Sequence, residues 1–424
     1  MTSPSEVVLT MSIRGIGGIF AYNEAFIERV GRLKFAFLIF KYFPFGGVQR
    51  DMLRIARELN KQGHQVEIFT ISWNGDLPDG DIAVHVIPTR GIFNYSRYQR
   101  FIDAANAHIR LEAEAGRPFD LLVGFNRMAG LDAYFVADPC FVERAHVMRG
   151  FFYRLTPRYR WFAHCEEAIF SAQAKTEFLL LSDVEKRHFQ KWYHTPDDRF
   201  HFIPPFLSSE RLVLQDKAEM RRYLRHEFGF DAEDFVYLLV GSGFSMKGLD
   251  RAIHALACLP AEKLAGSRLL AIGQDNPKPF MQMAKKLGVA ERVIISKGRP
   301  DIPQLMQGAD AYVHPAYREN TGLVILEAMA CGLPVLVTDN CGYAFHVAAA
   351  EAGLVSAAPF DQAAFNQLFQ RMMTDPQCDI WRANGQRYAQ QLMQANDGSA
   401  EARVLTGMVR KKSGVADRAV QVSS

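Results

Sequence analysis

No stretch of this chain approaches the ~18 uninterrupted apolar residues needed to cross a bilayer. Nothing in it reads as a membrane span, although hydrophobic residues make up 49% of the 424. Cysteine is sparse and scattered: Cys140, Cys165, Cys258, Cys331, Cys341 and Cys378 include no CxxC pair. That pattern indicates neither a disulfide framework nor a zinc site, and a reducing cytoplasm fits best. Charge of one sign is also lacking. A formal net charge of +3 is too small for a nucleic-acid binder, which shows a strongly basic domain or stripe, so no nucleic-acid partner is expected. Repeats at solenoid spacing and low-complexity tracts are missing as well. What remains is an ordinary soluble globular chain, long enough for two or three domains with a core in each.

The first residues carry a short Ile16-Gly17-Gly18-Ile19-Phe20 segment, with Glu6 before it, Asn23 and Glu24 after it, and no credible cleavage site. Residues 1–32 are therefore expected to be a poorly ordered extension and not a signal peptide. A regular pattern begins at Leu33: a buried strand over 35–40, a Gly-rich loop over 41–48, a helix over 49–62 and a strand over 66–71. Val48, Met52, Ile55, Ala56 and Leu59 recur at helical spacing, and Gly63 stands where a C-terminal cap is wanted. Further strands over 120–123 and 178–181 lead into polar turns. At Ile203-Pro204-Pro205 the two prolines read as a linker. The pattern then restarts with a strand over 235–240, a Gly-rich loop over 241–248, a helix over 249–259, and strands over 268–272, 292–296, 311–314 and 335–338. Alternation of this kind predicts an α/β chain with two Rossmann-like domains in tandem, their parallel sheets covered by helices. Ligands of such sheets collect beyond the carboxyl ends of the strands, so the expected site lies in an interdomain cleft.

The strongest motif is Glu319-Asn320-Thr321-Gly322-Leu323-Val324-Ile325-Leu326-Glu327, followed by Ala-Met-Ala-Cys-Gly-Leu-Pro-Val. It places two carboxylates eight residues apart, one in a loop and one about two turns inside a helix that starts near Thr321. The free N–H groups of such a helix start suit a diphosphate. The plainer reading, that Glu327 merely caps or solvates a helix, has to ignore the rest of the run. Lys247, in Gly241-Ser242-Gly243-Phe244-Ser245-Met246-Lys247-Gly248, lies where a fixed ammonium can stabilise charge growing on a departing diphosphate. A dinucleotide loop is the rival for this segment. Its third glycine would fall on Met246, which breaks the fingerprint.

These residues resemble the E-x7-E signature of family 4 retaining glycosyltransferases. In that family the first Glu contacts the donor sugar and the second the ribose, and an Arg usually stands where this chain has Met246. The segments Lys41-Tyr42-Phe43-Pro44-Phe45-Gly46-Gly47-Val48-Gln49-Arg50-Asp51, Val123-Gly124-Phe125-Asn126-Arg127-Met128-Ala129-Gly130-Leu131-Asp132 and Leu155-Thr156-Pro157-Arg158-Tyr159-Arg160 narrow the resemblance to the lipopolysaccharide core glucosyltransferase I family. It runs from about Lys34 to beyond Trp381. The resemblance implies a GT-B fold, with an acceptor-side domain over 33–204 completed by a C-terminal helix at about 386–410, a nucleotide-sugar domain over 205–385, and a tail over 411–424. It implies transfer of a hexose, glucose first, from a UDP-sugar to a heptose of the lipid A–inner-core acceptor.

Catalysis is then expected at Asp132, Lys247 and Glu319. Donor binding is expected at Gly46, Gly47, Asp51, Lys247, Arg299, Glu319, Asn320, Thr321, Gly322, Leu323 and Glu327. For Asp51 and Asp132 a capping role at a helix start stays open. A double displacement needs a carboxylate nucleophile about 5 Å from a general acid, and none can be assigned. The resemblance implies reaction on one face of the sugar, with the leaving phosphate helping to deprotonate the acceptor. No Asp-x-Asp pair stands at a strand end, so neither a metal nor any other cofactor is expected.

One more segment stands out. Residues 144–162 carry Arg144, Arg149, Arg154, Arg158 and Arg160, the aromatics Phe151, Phe152, Tyr153, Tyr159, Trp161 and Phe162, and no acid. Such a stretch suits an anionic membrane surface, each basic residue near it contributing about 1 kcal/mol. A solvated loop, or one that binds acceptor phosphates, accounts for it equally. With a lipid-anchored acceptor, the protein is expected to be peripheral at the inner face of the cytoplasmic membrane. Two other functions remain open: a sugar-nucleotide epimerase on the same fold, and a non-catalytic lipopolysaccharide- or membrane-binding protein. The second has no use for Lys247, Glu319 and Glu327 together.

Overall fold

The computed structural model describes residues 31–44, 46–208 and 214–412. The expectations for residues 1–30 and for the tail beyond 412 fall outside them. The chain divides into two compact units, 1–125 with 405–424, and 126–404.

Unit 1 begins with β1 (Lys34–Tyr42), α1 (Gly47–Lys61), β2 (Gln65–Trp73), β3 (Ile82–Val86), α2 (Asn94–Glu114) and β4 (Leu121–Gly124). Its strands are parallel and ordered β3-β2-β1-β4. A parallel strand covered on both faces reads as an unbroken apolar run. Accordingly, Phe35 to Phe40 are all buried. Helix α1 starts at Gly47, two residues earlier than the apolar spacing indicates, and buries Met52, Leu53, Ile55, Ala56 and Leu59.

Unit 2 opens with β5 (Ala133–Val136), α3 (Phe141–Met148), a 3-10 turn (Phe151–Leu155), α4 (Pro157–Phe170), β6 (Glu177–Leu180), α5 (Asp183–Tyr193) and β7 (Phe200–Phe202). β5, β6 and β7 pair in that order, in parallel. It continues through α6 (Lys217–Phe228), β8 (Phe235–Val240), α7 (Phe244–Lys247), α8 (Leu249–Ala257), α9 (Ala261–Ala265), β9 (Ser267–Ile272), α10 (Lys278–Lys286), β10 (Val293–Ser296), α11 (Ile302–Gly308), β11 (Ala311–His314), α12 (Leu323–Ala330), β12 (Val335–Thr338), α13 (Ala344–Ala350), β13 (Gly353–Ser356), α14 (Gln362–Arg371), α15 (Cys378–Ala395) and α16 (Ala400–Lys412). The last helix passes back into unit 1 at Leu405.

The second sheet is six-stranded and parallel, ordered β10-β9-β8-β11-β12-β13. Successive side chains of a strand point to opposite faces. Val236, Leu238, Leu270 and Tyr312 therefore enter one core, while Tyr237, Leu239, Leu269 and Val313 enter the other. This is the helix-covered parallel architecture expected from the sequence, and its strands end at the loops that carry the motifs.

Three local expectations need correction. The Gly-rich loop over 241–248 contains a helical turn, α7, bracketed by Gly243 at φ +84° and Gly248 at φ +75°. Helix α12 starts at Leu323 because Gly322, at φ +86°, interrupts the approach to it. Glu327 consequently lies one turn inside that helix, not two. The single C-terminal helix at about 386–410 is two helices. The Asn396 side-chain amide oxygen and the Asp397 carboxylate accept from the backbone N–H groups of Gly398 and Ser399 (2.9 and 3.0 Å), which breaks the helix as Asx turns do.

Candidate active site

The cluster is built where β8 and β11 end. After β8, Gly241 at φ +138° and Gly243 turn the chain so that α7 presents Lys247. After β11, Pro315 to Thr321 lead to α12 and bring Glu319 back. The Lys247 ammonium and the Glu319 carboxylate form an ion pair, each largely covered by protein. His314, at the end of β11, is fully buried, with Nε2 3.4 Å from Glu319 Oε2 and Nδ1 2.9 Å from the Tyr312 hydroxyl. Burial and the facing Lys247 charge push His314 well below the ordinary histidine value, so its imidazole is neutral at pH 7. Burial also lowers Lys247 from the usual lysine value. A desolvated ammonium is a stronger electrostatic partner for an arriving anion than one in water.

The loop that carries Glu319 is pinned from several sides. Arg318 meets Glu185 of α5 with three hydrogen bonds (2.7 and 2.9 Å from Nη2, 3.1 Å from Nε) and touches His188 at 3.0 Å. Glu185 has no exposed side-chain surface, and its Oε2 also accepts the Cys140 N–H (2.7 Å). Burial alone would raise its pKa; His188, Arg318 and that N–H together hold it below the ordinary value. Asn320 donates to the carbonyls of Val136 and Ala137 (3.0 and 2.9 Å), while its side-chain oxygen is buried without a hydrogen-bond partner among the described residues. On the far side, Glu319 pairs with Cys341 in an isolated parallel bridge, and Tyr343 N–H bonds Thr321 C=O at 2.8 Å. Gly342 has to be glycine, because a Cβ there would stand 1.8 Å from the Asn320 carbonyl oxygen. The N–H groups of Gly243 and Phe244 are already taken by the Asp275 carboxylate; the other helix start in the cluster is that of α12, behind Gly322.

The residues expected at the site divide accordingly. Lys247, Glu319, Asn320, Thr321, Gly322 and Leu323 come together. Glu327, half-buried on α12, acts electrostatically on Tyr312 within β11. Gly46, Gly47 and Asp51 belong to unit 1, where Gly46 precedes and Gly47 begins α1 at the carboxyl end of β1. Asp51 lies beyond the first turn and contacts Arg54 at 3.5 Å, so it is not the cap of that helix.

Asp132 is misplaced by the sequence reading. It stands at the amino end of β5, where its carbonyl accepts the Glu177 N–H. At about 3.3 Å per residue, the length of β5 separates it from the Val136 and Ala137 carbonyls that Asn320 holds. It caps no helix. Asp138, half-exposed just past the carboxyl end of β5 with Arg127 Nη2 3.7 Å away, occupies the position wanted. The general preference for carboxyl ends could have found it once β5 was recognised. Arg299 turns toward Asp301 (2.9 Å twice) and Glu227 (2.7 Å), with its plane over Phe228.

The arginine-rich segment falls on α3, the 3-10 turn and α4. Arg144, Arg149, Arg158 and Arg160 are exposed, Arg154 and Trp161 half-buried. Phe151 and Phe152 are 64% and 82% exposed, with Val147, Met148 and Leu155 also open to solvent. Arg149, Arg154 and Arg158 lie over Tyr153, Phe151 and Phe162 at 5.6, 5.8 and 5.0 Å. Among the described residues, no helix is long and apolar enough to cross a membrane.

Comparison with known proteins decides the family. Residues 220–390 match the model "Glycosyl transferases group 1", and residues 45–211 the model "Glycosyltransferase Family 4". The lipopolysaccharide glucosyltransferase WaaG of Escherichia coli K12 is 40% identical over 355 residues, covering 84% of this chain and 93% of that protein. This chain belongs to the lipopolysaccharide core glucosyltransferase family. A crystal structure of WaaG superposes with TM-score 0.81 at 38% identity, covering 88% of this family member and all of that chain. More distant is a D-inositol 3-phosphate glycosyltransferase of Stackebrandtia nassauensis, 25% identical over 78% of the chain and 79% of that protein. A sucrose-phosphate synthase structure, at 18% identity and TM-score 0.70 over 91% of this chain and all of that one, shares the fold. That fold is GT-B.

Proposed function

We propose that the protein transfers a hexose, glucose in the first instance, from a UDP-sugar to a heptose of the lipopolysaccharide inner core with retention of configuration. The observation that carries this reading is the Lys247–Glu319 pair set beside the α12 start. A diphosphate placed there meets a desolvated ammonium and the N–H groups of Leu323 and Val324. Glu319, released from Lys247 as the phosphates take over that cation, is free to receive a hydroxyl of the donor sugar. Glu327 faces the same edge and is suited to the ribose. Asp138 takes over the role first given to Asp132, holding hydroxyls from the β5 side. The name and identity of the Escherichia coli relative support both the hexose and the acceptor class. No step calls for a metal ion in this scheme, because Lys247 and the helix start meet the charge that a cation would neutralise.

The acceptor is a lipid, and the exposed face of α3, the 3-10 turn and α4 supports peripheral binding to the anionic inner leaflet. Its arginines are displayed beside exposed Phe151 and Phe152 with no acid between residues 144 and 162. The test is transfer by the purified protein from UDP-[14C]glucose to core lipopolysaccharide that ends at heptose. A labelled lipid product with an α-glucosidic linkage is expected. A β-linked product, or UDP-glucose consumption without label in the lipid, would overturn the assignment.

A further inference from the structure

A second constellation of ionisable groups lies in unit 1, away from the loops that carry the motifs. β2 and β3 pair with Glu67 opposite Ala83 and Phe69 opposite His85. Alternate residues of a strand share a face, so Glu67, Phe69 and His85 rise from the same side of the sheet. α2 brings His108 over them. His85 stacks on Phe69 (ring centroids 4.7 Å), and His108 meets both rings, at 5.2 Å from Phe69 and 4.7 Å from His85. One ligand atom from each of Glu67, His85 and His108 can be chosen so that all lie within 4.8 Å of one another.

We propose that Glu67, His85 and His108 form a binding site for a single zinc-type transition-metal ion that ties β2, β3 and α2 together. Two imidazoles and one carboxylate are a standard ligand set for zinc, with a water in the fourth place. Glu67 is 6% exposed, whereas both histidines are half-buried, which leaves a path for the ion and that water. The carboxylate is already divided between two tasks. Its Oε1 accepts from Lys34 (2.9 Å) and Gln65 (3.3 Å), and its Oε2 faces His85 Nε2 at 2.7 Å. Ligating carboxylates are held by such outer hydrogen bonds, so Oε1 keeps its partners while Oε2 binds the ion. Lys34 is in turn satisfied by Glu112 at 2.8 Å, which limits its repulsion of a dication. The ring nitrogens of His108 make no protein hydrogen bond among the described residues, although the ring is held against Phe69 and His85. Zinc–ligand bonds of about 2.0–2.1 Å put neighbouring ligand atoms about 3.3 Å apart. The 2.7 Å contact has to open slightly and the His108 contact to close. β3 is an edge strand and can make that adjustment. The role is structural, so no step of the transfer depends on it.

The experiment uses the full chain with its thiols alkylated, so that the exposed Cys258 cannot compete for metal. Cobalt(II) is titrated and followed by its visible absorption, and zinc is titrated against a chromogenic chelator. The expected result is one equivalent of either ion, four-coordinate cobalt bands, and a melting temperature raised by several degrees with zinc. Glu67→Gln and His108→Phe, the second of which retains an aromatic ring against Phe69, should each weaken binding by more than about a hundredfold. Both should keep the circular dichroism of the parent protein. Equal binding by the parent and the double variant, or no binding by the parent, would show that the triad is only a hydrogen-bonded cluster. Because binding and melting are read without sugar transfer, the outcome is independent of the proposed transferase reaction.

Discussion

Two regions of unit 2 carry positive charge, and they use it in opposite ways. At the ends of β8 and β11, Lys247 and Arg318 are covered and each meets a carboxylate, Glu319 and Glu185. On α3, the 3-10 turn and α4, Arg149, Arg154 and Arg158 lie over aromatic rings on an exposed face. Covered charge acts over a few ångströms in low dielectric and depends on position. Exposed charge acts diffusely and is screened by salt within about 10 Å at 0.1 M. The first arrangement is suited to a reaction, the second to a surface. Replacing single residues should therefore be severe in one region and graded in the other.

The largest effect is expected from Lys247→Ala. It should fold, since Lys247 is set in a short helical turn outside the two sheet cores, yet lose about 10²–10³ in transfer rate, as removal of a positioned electrostatic group does. Far-UV circular dichroism with a radiometric transfer assay checks this. Unchanged transfer would remove Lys247 from the diphosphate. Next comes Glu185→Ala, which strands Arg318 without its partner and should cost about 3–5 kcal/mol of stability by urea denaturation.

The same carboxylate has a pH signature. Its folded pKa lies below the unfolded value, so its contribution is fully present above the unfolded pKa near 4.5. It is lost as the pH falls through the folded value. Glu185→Gln should accordingly flatten the acid limb of the stability profile, and an unaltered limb would show that the pair contributes little.

A smaller effect belongs to the exposed region. Exchanging Arg154, Arg158 and Arg160 for Ser should weaken sedimentation with anionic vesicles by at most about a hundredfold at low salt. The difference should shrink as ionic strength rises, while transfer to a soluble acceptor stays near normal. Equal pelleting would give the segment to acceptor phosphates instead. The smallest expected effect is none: turnover at low temperature should survive excess EDTA. Loss on chelation with recovery in Mn²⁺ would contradict the comparison at its root, because a metal and not Lys247 would then meet the diphosphate.

The same contrast marks what could be read in advance. The βα alternation, most strand positions and the motif from Glu319 to Glu327 rest on local periodicity and spacing, which one sequence displays. The brace beneath Glu319 does not. Arg318 and Glu185 are 133 residues apart, and nothing near either one announces the other. Asp132 is implied by the resemblance alone, and the sequence reading places no strand over β5, four residues long, whose ends set Asp132 at one side of the sheet and Asp138 at the other. Arg127 shows the same blindness. It stands in a quoted motif, yet its partner Glu166 is wholly buried on α4, where it also caps the start of α3 through the N–H groups of Phe141 and Val142. Exposure of Phe151 and Phe152, by contrast, was legible, since a run of arginines and aromatics without an acid has no place in a core and the structure leaves both rings open to solvent.

The return of the chain at Leu405 bears on the order in which the protein is made. Unit 1 is assembled from residues 1–125 and 405–424, so the piece that returns to it leaves the ribosome only after unit 2. At roughly 5–20 residues per second, the intervening 279 residues (404 minus 125) take on the order of 15–55 s. Throughout that interval β1, with its buried run from Phe35 to Phe40, has to be kept from other nascent chains without the last helix. A cell under heat stress should therefore lose newly synthesised copies of this protein more readily than mature ones.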